Sequence, residues 1–230
     1  AWILTRDRGV VRAFAKGARN TKSRLHGAVS QFSYGTFTFF ENKDVYTVSE
    51  AVLSESFFEL RTDFFSLTLA QYFCEIVIKC VEENAESEDY LRLFLNCIYF
   101  LCGCKKPYLQ IKAVFELRFA CIAGYAPMLV GCDECGEFET SEMYFDCASG
   151  KLFCSPCGKN RALPSIPAAG VSVMRHIVFS RFSSVFSFNA VPDVLKAVSR
   201  LTQQYLQNSL QQSFKVLDYL TDVGFDAEKV

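Results

Sequence analysis

The 230-residue chain is 50% hydrophobic and 21% charged, a balance that supplies a folded core and excludes a disordered tail. A net charge of −1 excludes attraction of the whole molecule to an anionic partner. The charge is unevenly placed: residues 1–25 hold Arg6, Arg8, Arg12, Lys16, Arg19, Lys22 and Arg24 against Asp7 alone, on an otherwise acidic body, which directs the search for an anionic ligand to that end.

In chain order, residues 1–5, 10–16, 34–40 and 45–52 are short runs rich in Val, Phe, Tyr and Thr, separated by Asp7-Arg-Gly9 and Asn42-Lys-Asp44 turn signals, and predict four strands. Four strands do not readily close a barrel. From Ser54 the apolar spacing changes to a helical one and predicts a helix to about residue 83. Ser87, followed by Glu88 and Asp89, predicts the N-cap of a second helix reaching about residue 102. A third is expected over 109–123, stopped by Gly124 and Pro127, with Glu116 and Arg118 on its surface. Residues 128–160 lack a helical period. A short helix near 171–179 and a long last helix over 192–223 follow. The longest apolar run, 94–104, is too short to span a bilayer, and no charged–apolar–small signal opens the sequence. A reducing compartment without disulfides is expected. Cys74, Cys80, Cys97 and Cys121 fall among apolar helix residues, where a thiol acts as a small hydrophobe.

The most specific motif is Cys132-Asp-Glu-Cys135, then eighteen residues, then Cys154-Ser-Pro-Cys157. Two such knuckles can set four thiolates around one Zn²⁺ at about 2.3 Å. Gly136 and Gly158 follow them, where tolerance of positive φ helps amides turn toward sulfur. Four sulfur ligands leave no open position, so one structural Zn²⁺ per chain is expected. Cys147, inside the loop, is expected to be a bystander. The second motif is the basic stretch holding Arg12, Lys16, Arg19, Lys22 and Arg24, with Gly17 giving close backbone approach. It is either a phosphate-binding surface or a solvated loop. Phe32, Tyr34, Phe37 and Phe39 are either base-stacking platforms or core. With two histidines and no HExxH, GxSxG or Walker sequence, no enzyme is expected.

Asp7-Arg-Gly9, Phe14-Ala-Lys-Gly-Ala-Arg19, Lys22-Ser-Arg-Leu25, Leu69-Ala-Gln-Tyr72 with Glu75, Phe115-Glu-Leu-Arg-Phe119, Gly124-Tyr-Ala-Pro127 and the four cysteines together give a sequence that resembles the RecO family along nearly its whole length. The resemblance implies an α+β protein: an N-terminal OB-fold β-barrel over 1–53, a helical domain from 54–128 and 161–230 forming one body, and a projecting zinc element over 129–160. The family begins with a further strand, so the resemblance also implies a barrel lacking its first strand. It implies a bacterial, cytoplasmic and nucleoid-associated recombination mediator, not an enzyme and not at a membrane. Such proteins bind single- and double-stranded DNA, anneal complementary strands, and work with RecR and the C-terminal tail of single-strand-binding protein to load RecA. The same pieces also suit an OB-fold plus zinc-ribbon RNA-binding or transcription-associated module, which RNA preference in direct competition would mark.

Overall fold

The computed structural model describes residues 1–43 and 45–217. The chain forms two compact units, Ala1–Gly103 and Cys104–Val230. The division falls inside the helical stretch 54–128.

The first unit opens with β1 (Trp2–Leu4), β2 (Val10–Phe14), β3 (Ser33–Asn42) and β4 (Val45–Ser56). They form one sheet in the order β1-β2-β4-β3, with β2 parallel to β4 and the other pairs antiparallel. Alternation decides the faces: Val11, Ala13, Tyr46 and Val48 are buried, with Phe37, Phe39, Ile3 and Leu25 packed against them, while Arg12, Phe14 and Phe40 on the opposite parity are exposed. Among the described residues no pairing joins β1 to β3. These outer strands line a cavity of about 650 Å3 that also touches Val77, Ile78, Leu91 and Phe94.

β4 carries the chain to Ser56, a 3₁₀ turn follows at Phe58–Thr62, and only then does α1 (Phe64–Cys80) begin. The helix expected from Ser54 therefore starts ten residues later. Phe57 and Leu60 imitate a helical period across the turn, but the start is set by Asp63, whose carboxylate accepts from the Ser66 amide at 2.6 Å. α2 (Glu88–Leu101) buries Leu93, Cys97, Ile98 and Leu101, and the Ser66 hydroxyl on α1 donates to the Leu101 carbonyl at 3.1 Å. Ser87 stands at the N-cap position as expected, yet its side chain makes no cap hydrogen bond. Its hydroxyl instead accepts from the Gly9 amide at 3.0 Å and donates to the Thr5 carbonyl at 2.8 Å. The Asn84 and Ser87 amides donate to the Arg8 and Arg6 carbonyls. The β1–β2 turn is thus stitched to the α1–α2 connection. Gly9 is required there: φ is +63°, and a Cβ would lie 1.7 Å from the Glu82 carbonyl oxygen.

The second unit is built around α3 (Tyr108–Ile122), which is buried almost all round, the mark of a central helix. A second sheet follows, of β5 (Met128–Cys132), β6 (Glu142–Asp146), β7 (Lys151–Cys154) and β8 (Ser165–Pro167), in the order β5-β7-β6-β8, with the short α4 (Ser155–Gly158) after β7. α5 (Ala168–Phe179) and α6 (Pro192–Leu210) complete the unit and pack on α3. α6 stops at Leu210, where Gln211 turns left-handed at φ +52°. The expected continuation toward residue 223 is therefore broken, and its part beyond residue 217 lies outside the described residues. Glu116 and Arg118, expected on the surface, are engaged instead. Glu116 is fully buried, and Arg118 donates to the Val178 and Ser180 carbonyls at the end of α5.

Candidate metal centre and nucleic-acid interface

β5 delivers Cys132 at its end and the following turn carries Cys135. β7 delivers Cys154 and α4 carries Cys157. Because β5 and β7 are neighbours in the sheet, the two knuckles face each other, and all four sulfurs lie within 4.8 Å of one another. The Cys135 and Cys154 sulfurs are 3.5 Å apart. Sulfurs on a tetrahedron about 2.3 Å from a zinc ion are separated by about 3.8 Å, so the donor set fits in kind, number and spacing. Gly136 adopts φ +76°, as expected of that glycine, but its amide donates to the Cys132 carbonyl at 2.9 Å and not to a sulfur. Gly158 serves a different purpose. It lies in α4, and a Cβ there would meet Tyr144 at 2.8 Å.

The electrostatics of the four thiols are uneven. Burial raises Cys132, but backbone amides of Cys154, Cys135 and Glu134 directed at its sulfur outweigh that and bring it to about 6. A hydrogen bond donated by its own S–H to Cys154, with burial second, pushes the Cys157 thiol up. One thiolate held by amides opposes by its charge the ionisation of its neighbours, a repulsion that a bound dication would offset. Elsewhere burial drives thiols toward inertness: Cys74 and Cys147 to about 12, Cys80 and Cys121 to about 11. Cys147 is buried, with its sulfur 3.8 Å from the Leu201 carbonyl oxygen.

The cysteine element does not simply project. Leu129, Met143, Phe145, Leu152 and Ile166 are fully buried in it. Tyr205 on α6 stacks edge-on to Phe145 at 5.5 Å and donates to the Tyr125 carbonyl at 2.9 Å. Arg175 on α5 reaches the Leu129 carbonyl at 2.7 Å, the Val130 carbonyl and the Glu139 carboxylate at 3.1 Å, and lies 4.0 Å over the Phe138 ring. Sequence reasoning missed Arg175. Its only signal was an arginine in a mostly apolar helix.

At the other site, Arg12, Lys16, Arg19, Lys22 and Arg24 are all exposed. The stretch after β2 is not loose: amides of Ala18, Asn20, Ser23 and His26 each donate three residues back, and the His26 ring is 2.8 Å from the Ala18 carbonyl. Gly17 takes φ +74° with open space around it. These successive turns hold Lys16, Arg19, Lys22 and Arg24 outward, Arg12 stands exposed on β2, and none of the five is in an ion pair among the described residues. Of the four aromatics, Phe37 and Phe39 belong to the sheet core, their rings stacked 6.3 Å apart. Phe32 is half-buried and Tyr34 exposed.

An N-terminal sheet with a basic stretch after β2, followed by helices and a cluster of four thiols that could hold a metal ion, defines a mixed α+β protein. Residues 1–57 match the family described as Recombination protein O N terminal, and residues 61–218 match Recombination protein O C terminal. The chain is similar to DNA repair protein RecO of Acetivibrio thermocellus, 34% identical over 95% of this chain and 87% of that protein. Those of Alkaliphilus metalliredigens (27% identical; 91% and 86%) and Clostridium acetobutylicum (24%; 95% and 88%) are also similar. The chain belongs to the RecO family of DNA repair proteins, which are recombination mediators and not enzymes. Among the described residues no helix is long and apolar enough to cross a membrane.

Proposed function

We propose that this chain binds single- and double-stranded DNA through Arg12, Lys16, Arg19, Lys22 and Arg24 and anneals complementary strands. With RecR and the tail of single-strand-binding protein it helps to load RecA. The carrying observation is the display of five exposed cations, Arg12 on β2 and the other four on the successive turns after it, with no acidic residue among them. Annealing needs no catalytic group: cations lower the repulsion between two backbones, and base pairing supplies the recognition. One Zn²⁺ held by Cys132, Cys135, Cys154 and Cys157 supplies a structural cross-link between β5 and β7. Family membership supports these partners and a cytoplasmic, nucleoid-associated location.

If four cations reach phosphates, log K for a single strand falls against log salt with a slope of about −3. Replacing Lys16, Arg19 and Arg24 together by alanine lowers affinity for all sequences alike, flattens that slope and slows annealing, with folding unchanged. Unaltered affinity and slope in that variant would overturn the assignment.

A further inference from the structure

Three aromatic side chains stand on the solvent face of the first sheet: Trp2 is 53%, Phe14 58% and Phe40 64% exposed. Register places them together. Trp2 pairs with Arg12 across β1 and β2, Phe14 pairs with Thr47 across β2 and β4, and Thr47 pairs with Phe40 across β4 and β3. Paired residues share a face, so Phe14 and Phe40 flank the small Thr47 at two strand spacings, about 10 Å. The Arg12 guanidinium lies 5.5 Å from the Trp2 ring centroid, two residues before Phe14. Lys16 and Arg19 continue directly from the end of β2.

We propose that Trp2, Phe14 and Phe40 form a platform on which successive bases of a single strand stack, while Arg12 and the cations after β2 hold the phosphates between them. The proposal rests on the DNA-binding reading above and assigns to it the part that engages bases, whatever their sequence. Exposed rings gathered on one face are costly in water and mark a contact surface. The interleaved cations select the occupant: a protein strand would meet unpaired guanidinium and ammonium groups, whereas a nucleic acid supplies both ring faces and anions. Glu50, pairing with Thr38 farther along the same hairpin, repels phosphate and bounds the track on that side. The aromatics Phe37 and Phe39 are excluded from this role because they fill the core on the opposite face.

Trp2 is the one tryptophan of the chain, so its emission reports stacking directly. The full chain is titrated with oligothymidylate and with an abasic oligonucleotide of equal length, at a salt concentration that suppresses the phosphate contribution. Oligothymidylate is expected to quench Trp2 and to bind more tightly than the abasic strand. Phe14→Ala and Phe40→Ala each weaken thymidylate binding by about fivefold or more and leave abasic binding and the salt slope unchanged, while Phe14→Tyr with Phe40→Tyr retains wild-type binding. Equal thymidylate affinity in wild type and the double alanine variant, or binding with unaltered Trp2 emission, overturns the platform and leaves the phosphate reading standing. Failure of the wild type to bind either strand at low salt removes both.

Discussion

Asp146 shows how one side chain sets a turn beside the metal centre. At the end of β6 its carboxylate accepts from the Ser149 hydroxyl at 2.6 Å and the Ala148 amide at 2.9 Å. The Ser149 bond, more than the opposing burial, holds its carboxyl below the usual 3.8. The folded state thus binds the proton less readily than the unfolded chain, so the stabilisation is present above 3.8 and is lost as pH falls through the lower folded value. Asp146→Asn is expected to cost about 0.5–1 kcal/mol near neutrality, the lower end reflecting solvent screening, with the deficit shrinking on the acid side. Paired chemical denaturation curves at neutral and strongly acidic pH check this, and a deficit that persists at the acid end would contradict it. The same scale explains Ser87. An N-cap signature was legible in Ser87-Glu-Asp89, but the sequence does not reveal that Gly9, seventy-eight positions earlier, takes the hydroxyl. Local chemistry gives the position of the helix start and not the partner of its side chain.

At the scale of elements, α3 and α6 are joined by a buried polar network. Lys112 and Glu116 form an ion pair at 2.8 Å with side-chain exposures of 4% and 0%. The ammonium also donates to the carbonyl and hydroxyl oxygens of Ser199, both at 3.2 Å, and Thr202 donates to Glu116 at 2.7 Å. Burial pulls Lys112 down and Glu116 opposes it. Every charge is compensated, so breaking the pair on one side is worse than removing both. Glu116→Ala is expected to cost about 3–5 kcal/mol, whereas Lys112→Met with Glu116→Leu is near neutral. Urea unfolding of the single and double variants measures this, and a double variant no more stable than the single would contradict it. The network was hidden in the sequence because Lys112 and Glu116 are spaced four apart, which reads equally as a solvated i,i+4 pair. Only the second helix, eighty-six positions later, decides. The strands 10–16 and 34–40 were legible because alternation of side chains is local, and the helix start at 54 was misread because the turn at 58–62 places apolar residues at helical steps.

For the whole molecule, the four cysteines were fully legible, since two knuckles at that spacing constrain one another. The packing of the element around them was not. An element with little core of its own would unfold without metal, but Leu129, Met143, Phe145, Leu152 and Ile166 are buried in it, and Arg175 and Tyr205 hold it to α5 and α6. Metal removal is therefore expected to loosen residues 132–136 and 154–158 while α3 and α6 keep their packing. Hydrogen exchange before and after chelation tests it: amides of the knuckles lose protection and those of α3 do not. Global loss of protection in the second unit would show that the zinc, and not the apolar contacts, organises it.

The stitching of Gly9 to Ser87 bears on how the polypeptide becomes a protein. The two family matches meet near residue 60, which suggests a place to cut the gene, but the amides and carbonyls of residues 5–9 find their partners at 84 and 87. Loop closure over that distance must precede completion of the β1–β2 turn. During synthesis the strands leave the ribosome well before the residues that satisfy them. The seam between the two sequence families marks inherited kinship, while the hydrogen bonds that complete the β1–β2 turn extend past it.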